Sequence, residues 1–454
     1  MSFCKDFIWG AATAAYQIEG GARADGRGDS IWDVYCRRPG RVYQGHTGEQ
    51  ACDHYHRYRE DVALMAQLGI RAYRLSISWP RVLPNGVGQV NQAGLAFYSD
   101  LIDALLENGI TPYVTLYHWD LPEALAVRGG WLNPESPAWF EEYARTVVDA
   151  LGNRVKHWMP FNEPQVFVGL GYVTAVHAPG EALPRREYLQ MSHNILLAHG
   201  RSVRAIRELC AGAQVGTAHA GLYAYPATDA PKDAEAARRY LFDCVHDENP
   251  VSSLAWWADP MFLGRYPDFS AIDGFAEDMP AIASGDMELI SQPLDFLGFN
   301  LYQGDPVSAD AQAPHGIRVH PFPEGVPMSY MNWPVTPEAM YFAVKEVYSR
   351  YRKPVFITEN GMASNDMVSL DGKVHDPNRI DYTARYLQAL RQAADEGAQV
   401  RGYFHWSLMD NFEWAEGYRP RFGLIYVDYA TKKRIPKDSF YWYRDVIAQN
   451  GKNL

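Results

Sequence analysis

The stretch NQAGLAFYSDLIDALLENGITPYVTLYH, residues 91–118, decides the fold. Leu95, Tyr98, Leu101, Leu105 and Leu106 recur at helical spacing, and Asn108-Gly109 ends that helix. Ile110 to Tyr117 then reads as a strand, with His118-Trp119-Asp120 at its end. The same theme recurs on both sides: a helix with an apolar stripe, a glycine stop, a strand, and a polar or aromatic cluster. Upstream, Val62, Met65 and Leu68 lead to Gly69 and then to Ala72-Tyr73-Arg74-Leu75-Ser76-Ile77. Downstream, Phe140, Tyr143, Val147 and Leu151 lead to Gly152, to a strand over His157-Trp158-Met159-Pro160-Phe161, and to Asn162-Glu163-Pro164.

Five further strands are predicted, over residues 7–10, 215–219, 295–299, 354–358 and 402–406. Strands alternating with helices argue for parallel βαβ units. Eight of them predict an α/β fold of the closed (β/α)8 barrel type, a TIM barrel, with residues 1–454 forming a single catalytic domain. An open doubly wound sheet is the alternative, but no GxGxxG follows the first strand to support it.

The bulk composition narrows the partners. Forty-two basic residues against 54 acidic ones give a net charge of −12, which argues against nucleic-acid backbones and anionic membranes. The basic pairs Arg185-Arg186 and Arg238-Arg239, and the run Lys432-Lys433-Arg434, sit among polar neighbours and read as solvated faces. Five scattered cysteines (Cys4, Cys36, Cys52, Cys210 and Cys244) show no CxxC, which favours a reducing compartment over a disulfide framework. Met1 leads straight into Phe3-Cys4-Lys5-Asp6-Phe7, without the pattern of a secretion signal. No apolar run approaches the ~20 residues that a membrane span needs. A cytoplasmic location is expected. Thirteen Trp, 29 Tyr and 19 Phe suit a site that stacks sugar faces, although on composition alone a large aromatic core is the better reading.

In a (β/α)8 barrel the chemistry sits at the carboxyl ends of the strands. Those ends carry His118 on the third strand, Asn162 and Glu163 on the fourth, and Asn300 and Tyr302 on the sixth. Glu359 and Asn360 follow on the seventh, and Trp406 on the eighth. Packing does not call for ionisable groups there; a reaction site does. Cleaving a glycosidic bond requires two carboxyl groups, one protonated to assist the leaving oxygen and one ionised at the anomeric carbon. A single strand-end glutamate is as readily half of a structural ion pair. Two of them, in Asn162-Glu163-Pro164 and Glu359-Asn360-Gly361, favour the chemical role.

These segments carry a resemblance. Asn-Glu-Pro at 162–164 and Thr-Glu-Asn-Gly at 358–361 are similar to the paired signatures of glycoside hydrolase family 1 β-glucosidases. Phe-Ile-Trp-Gly-Ala-Ala-Thr-Ala-Ala-Tyr-Gln-Ile-Glu-Gly at 7–20 resembles the family's N-terminal signature. Further matches run in order along the chain at 73–81, 117–122, 177–180 and 406–418.

The resemblance implies that Glu163 is the general acid/base and Glu359 the nucleophile of a retaining reaction through a glycosyl-enzyme. Arg74, Tyr302 and Asn300 would support the nucleophile. Gln17, His118, Asn162, Trp406, Glu413 and Trp414 would bind the cleaved sugar, and Trp333 would line the leaving-group side. No cofactor or metal is expected. An intact Glu413-Trp414 pair, where relatives acting on 6-phosphorylated sugars typically carry Ser, favours an unphosphorylated substrate. Where many relatives have Asn-Tyr-Tyr this chain has Asn300-Leu301-Tyr302, which predicts a change of packing and not of mechanism.

Other chemistries find less support. Cys52-Asp53-His54-Tyr55-His56 has no partner CxxC or HxxxH to complete a zinc site. The resemblance places that run at the start of a barrel helix, with Asp53 as its cap. His177 and His219 read as structural, and no GxSxG elbow supports a serine hydrolase. Hydrolysis of terminal β-D-glucosyl residues from oligosaccharides and aryl or alkyl glucosides is the leading reading, with β-galactosides and β-fucosides as side substrates. A transglycosidase and a non-catalytic sugar binder are the alternatives. The loops over 166–172, 220–230 and 305–335 are expected to line the outer cleft.

Overall fold

The computed structural model describes residues 2–243 and 245–454. Cys244 lies outside the described residues, and the other four cysteines are free thiols. Eight parallel strands form the central sheet: β1 (Ile8–Ala12), β2 (Ala72–Ser76), β3 (Thr111–Tyr117), β4 (His157–Phe161), β5 (Gln214–Val215), β6 (Leu297–Asn300), β7 (Val355–Asn360) and β8 (Val400–Trp406). Their order is β5-β4-β3-β2-β1-β8-β7-β6. The two outer strands meet through parallel bridges pairing Gly216 with Phe296 and His219 with Phe299. Hydrogen bonds from Asp295 N to Val215 O (2.7 Å), His219 N to Gly298 O (3.0 Å) and Asn300 N to His219 O (2.7 Å) close the seam. The result is the predicted (β/α)8 barrel.

The seam explains why β5 is so short. A Cβ on Gly216 would lie 2.3 Å from the Phe296 ring, and one on Gly298 would lie 2.2 Å from Thr217 O. Only glycine lets these backbones pass, so the predicted strand over 215–219 continues past Val215 as isolated bridges and not as a regular ladder.

Every strand but β1 follows a long helix in the chain, with the short helices Phe275–Asp278 and Asp286–Ile290 intervening before β6. The barrel helices are α1 (His54–Leu68), α2 (Gln92–Glu107), α3 (Ser136–Leu151), α4 (Arg185–Leu209), α5 (Leu254–Leu263), α6 (Pro337–Tyr351), α7 (Pro377–Asp395) and α8 (Asp438–Ala448). The stripe on α2 buries Tyr98, Leu101 and Leu105 as expected, whereas Leu106 is 40% exposed and belongs to the outer face. Inside the barrel, Ala12, Ala72 and Ala218 alternate with Tyr113, Met159, Phe296, Phe356 and Phe404. Small residues opposite large ones fill the lumen, so it is a packed core that supports the mouth and not a channel.

Several expectations need correction. Asp53 precedes α1 but does not cap it; its backbone is left-handed (φ +58°) and its carboxylate pairs with His56 Nδ1 at 2.6 Å. Arg434 is not on a solvated face: it is buried in a two-point ion pair with Asp61, at 2.8 and 3.0 Å. Much of 220–230 and 305–335 is not cleft loop. Ala224–Pro226, Asp305–Ala309 and Ile317–Val319 form a separate three-stranded sheet beside the barrel. Among the described residues, no helix is long and apolar enough to cross a membrane.

Candidate active site

β4 delivers Glu163 through local backbone geometry. Glu163 takes a left-handed conformation (φ +45°), and Pro164 opens a one-turn helix, Pro164–Val168. Proline has no N–H to lose at a helix start and its φ suits that position. Glu163 N donates to Ala218 O at 2.8 Å, while its carbonyl accepts from Val166 N and Phe167 N. The backbone is thereby fixed on both sides, and the side chain lines the mouth.

Glu359 sits within β7, and the next two residues lock it. Asn360 Nδ2 donates to Leu301 O (2.7 Å) and Tyr382 Oη (3.1 Å), and its Oδ1 accepts from Tyr403 Oη (2.8 Å). Gly361 leaves no room for a side chain: a Cβ there would fall 1.7 Å from Trp406 O. This accounts for the glycine of Thr-Glu-Asn-Gly. Leu301, the departure from Asn-Tyr-Tyr, is fully buried and does not line the cavity.

The two carboxyl groups meet one shared amide and otherwise different company. Arg74 forms an ion pair with Glu359 Oε1, and Tyr302 Oη donates to Glu359 Oε2 at 2.8 Å. Arg74 also donates to Asn162 Oδ1 (2.6 Å), Thr358 O (3.1 Å) and Thr115 Oγ1 (3.3 Å). Glu163 receives Asn300 Nδ2 at 2.7 Å, and the same amide nitrogen reaches Asn162 Oδ1 at 3.1 Å. Thr358 Oγ1 fixes Asn300 by donating to its Oδ1 at 2.6 Å.

These surroundings set the protonation states. Burial, and then the charge of Glu359, push the Glu163 carboxyl up to about 8. Burial raises Glu359 too, but Arg74 and the Tyr302 hydroxyl oppose it, so within the pair Glu359 is the better place for the negative charge. Burial and the Arg74 charge hold His118 well below the usual imidazole range, so it faces the cavity neutral, with Nε2 3.1 Å from Asn162 Nδ2.

The remaining predicted residues surround a cavity of about 520 Å³. His118, Glu163, Asn300, Tyr302, Trp333, Glu359, Trp406, Glu413 and Trp414 all line it. Arg74, Asn162 and Gln17 stand directly behind that wall. Gln17 Nε2 donates to Phe412 O (2.9 Å), Asn411 Oδ1 (3.1 Å) and Glu413 Oε2 (3.3 Å). Burial and the Glu359 charge raise Glu413 to about 8. Trp406 lies nearly parallel to His118, at 6.0 Å and 20°, and the Trp406–Ser407 peptide is cis. Trp414 is held between Tyr16 (6.0 Å, 8°) and Trp119 (4.6 Å, 34°). Trp333 packs on Tyr302 at 5.2 Å.

Sequence reasoning left some lining residues without a role. Trp119 and His177 both face the cavity. Trp119 was legible only as part of a motif; its φ of +76° and its bond from Nε1 to Asn162 O (3.0 Å) give no sequence signal. His177 packs on Trp32 (5.2 Å) and Trp119 (5.8 Å), which fits its structural reading, though it is also part of the wall. Of the expected cleft loops, Val166, Gly169 and Leu170, residues 220–223, and Met331 and Trp333 reach the cavity.

Glycosyl hydrolase family 1 matches residues 1–452. The chain belongs to that family. Within it, β-glucosidase A of Thermotoga maritima is 46% identical over 452 residues, covering 99% of this chain and 98% of the relative. A 1,4-β-D-glucan glucohydrolase of Thermotoga neapolitana is 45% identical over 452 residues, covering 99% of each. Among solved family 1 structures, the Thermotoga maritima β-glucosidase in complex with glucoimidazole superposes with a TM-score of 0.90 at 45% identity, covering 99% of both chains.

Proposed function

We propose that this family 1 enzyme is a retaining β-glucosidase with Glu359 as nucleophile and Glu163 as general acid/base. The observation that carries the assignment is the asymmetry of the two carboxyl groups. Arg74 and Tyr302 both favour an ionised Glu359, whereas Glu163 has one neutral amide donor and is pushed up to about 8. A protonated Glu163 donates to the leaving oxygen while Glu359 attacks the anomeric carbon, forming an ester. Once Glu359 is esterified, burial still raises Glu163 but the added push of the Glu359 charge is gone, so Glu163 ionises more readily to activate water. The names of the curated relatives support glucose as the preferred glycosyl unit.

The Glu413 side of the cavity supports an unphosphorylated sugar. The charges that act most on it are Glu359 and Glu416, both acidic, and Arg419 is already paired with Glu416, which disfavours a phosphate there. The site draws on strands from β2 to β8 and on loops from Gln17 to Phe422, which supports one catalytic unit over the whole chain. Buried free thiols at Cys36, Cys52 and Cys210 support the cytoplasm as its compartment.

Azide rescue tests the roles. The Glu359→Gly variant is expected to lose activity on nitrophenyl β-glucoside and to regain it with azide, giving the α-glycosyl azide. A β-azide product would mean that the roles are reversed. Absence of chromophore release by the folded wild-type protein would remove the β-glucosidase reading itself.

A further inference from the structure

Beyond the cavity lies a rim that the two-carboxylate chemistry does not require. Residues 327–335 form a tight turn, with Met328 bridged to Pro334, Ser329 N donating to Trp333 O (2.8 Å) and Trp333 N to Ser329 Oγ (3.2 Å). The turn sets Met331 and Trp333 on the cavity wall and leaves Tyr330 outside it, 37% exposed. Glu416 also lines the cavity, and its carboxylate accepts from Arg419. The Arg419 guanidinium lies 5.6 Å from the Tyr330 ring centroid and 5.0 Å from that of Tyr43, which is 40% exposed. Tyr43 packs on His46 (5.7 Å), His46 on Tyr418 (5.3 Å), and Tyr418 Oη donates to Thr47 O (2.7 Å). Loops at 43–47, 327–335 and 416–419 therefore converge on a Tyr43–Arg419–Tyr330 shelf just outside the wall.

The chemistry of the shelf selects a ligand class. Two rings held by one guanidinium lose little conformational freedom when something packs on them. A sugar offers C–H faces to such rings and hydroxyls to the guanidinium N–H groups. Glu416 balances the charge of Arg419, so the shelf suits a neutral ligand. Tyr330 directly precedes Met331 on that turn, so the shelf adjoins the part of the wall that Met331 and Trp333 form. We infer that the Tyr43–Arg419–Tyr330 shelf is an outer subsite for neutral β-linked oligosaccharides of three or more sugars, engaging a unit beyond the one adjoining the scissile bond. This rests on the β-glucosidase reading above.

The test compares kcat/KM for nitrophenyl β-glucoside, cellobiose and cellotriose in the wild type and in Tyr330→Ala, Tyr43→Ala and Tyr330→Phe. Wild type is expected to prefer cellotriose to cellobiose. Each alanine variant should lose about 3- to 10-fold on cellotriose, the range an aromatic contact supplies, while nitrophenyl β-glucoside changes less than about twofold. Tyr330→Phe, which keeps the ring, should retain the cellotriose advantage. Equal losses on all substrates, or no loss on cellotriose, would overturn the subsite. Failure of the wild type on nitrophenyl β-glucoside would instead remove the underlying reading. Cellotriose binding to Glu359→Gln by calorimetry then still reads the shelf: a weakening on Tyr330→Ala supports it, and identical affinities refute it.

Discussion

The β4 wall and the β7 wall of the mouth each present a glutamate, yet they are built on opposite plans. On the β7 wall, an arginine and a phenol engage both oxygens of Glu359, and Asn360 ties the strand end to three neighbours. On the β4 wall, Glu163 stands on a left-handed backbone with a single amide donor, in a setting that favours its neutral form. A nucleophile must be held still and charged; an acid/base must change charge twice in each cycle. Rigidity is invested on one side and titratability on the other.

The contrast can be broken most severely from the β4 side. Glu163→Gln keeps the shape but supplies no proton, so hydrolysis of cellobiose should fall by about 10²–10⁴-fold, the range of general acid–base catalysis. Nitrophenyl β-glucoside, with its better leaving group, should lose less in the glycosylation step, as a pre-steady-state burst will show. The pH profile sharpens the same point. As the proposed acid, Glu163 must enter the first step protonated, and its pKa is raised to about 8, so the alkaline limb of wild-type kcat/KM should fall as pH rises through that value. An alkaline limb unchanged in Glu163→Gln would show that another group sets it.

A smaller effect is expected on the β7 wall. Tyr302→Phe removes a hydrogen bond to a charged oxygen, a loss of about 10- to 100-fold in kcat. With one donor gone, the Glu359 carboxyl should rise and the acidic limb of the profile move to higher pH. Smallest is Trp333→Ala, which touches neither carboxyl. It should raise KM for aryl glucosides by about 3- to 10-fold with kcat nearly unchanged, since it removes one stacking surface.

The barrel was legible because helical stripes and strand runs alternate, and part of the candidate site because His118, Glu163, Asn300, Glu359 and Trp406 fall at strand ends, whereas Gln17, Trp333, Glu413 and Trp414 were legible only through the family resemblance. His157–Phe161 was read with its observed limits, and Glu163 and Glu359 stand at the mouth where their strands were expected to end. What the sequence hid depends on distant contacts. The β5–β6 seam is broken into bridges by close approaches at Gly216 and Gly298. Asn411 anchors Gln17 across 394 residues of chain. Leu106 follows the helical period of α2 yet points outward, because a stripe read from spacing alone is wider than the face that packs. The sheet formed by Ala224–Pro226, Asp305–Ala309 and Ile317–Val319 joins segments too short to carry a period.

Arg74 reaches further than its ion pair. From β2 it contacts Thr115 on β3, Asn162 at the end of β4, and Thr358 and Glu359 on β7, so one guanidinium acts as a spoke across the barrel. In the proposed mechanism Glu359 becomes an ester, and the spoke then loses its anion but keeps its hydrogen bonds to Thr115, Asn162 and Thr358. A glycosyl-enzyme trapped on Glu359 is therefore expected to melt at a different temperature from the free enzyme. A scanning calorimeter, with no chromophore and no product to follow, measures that shift.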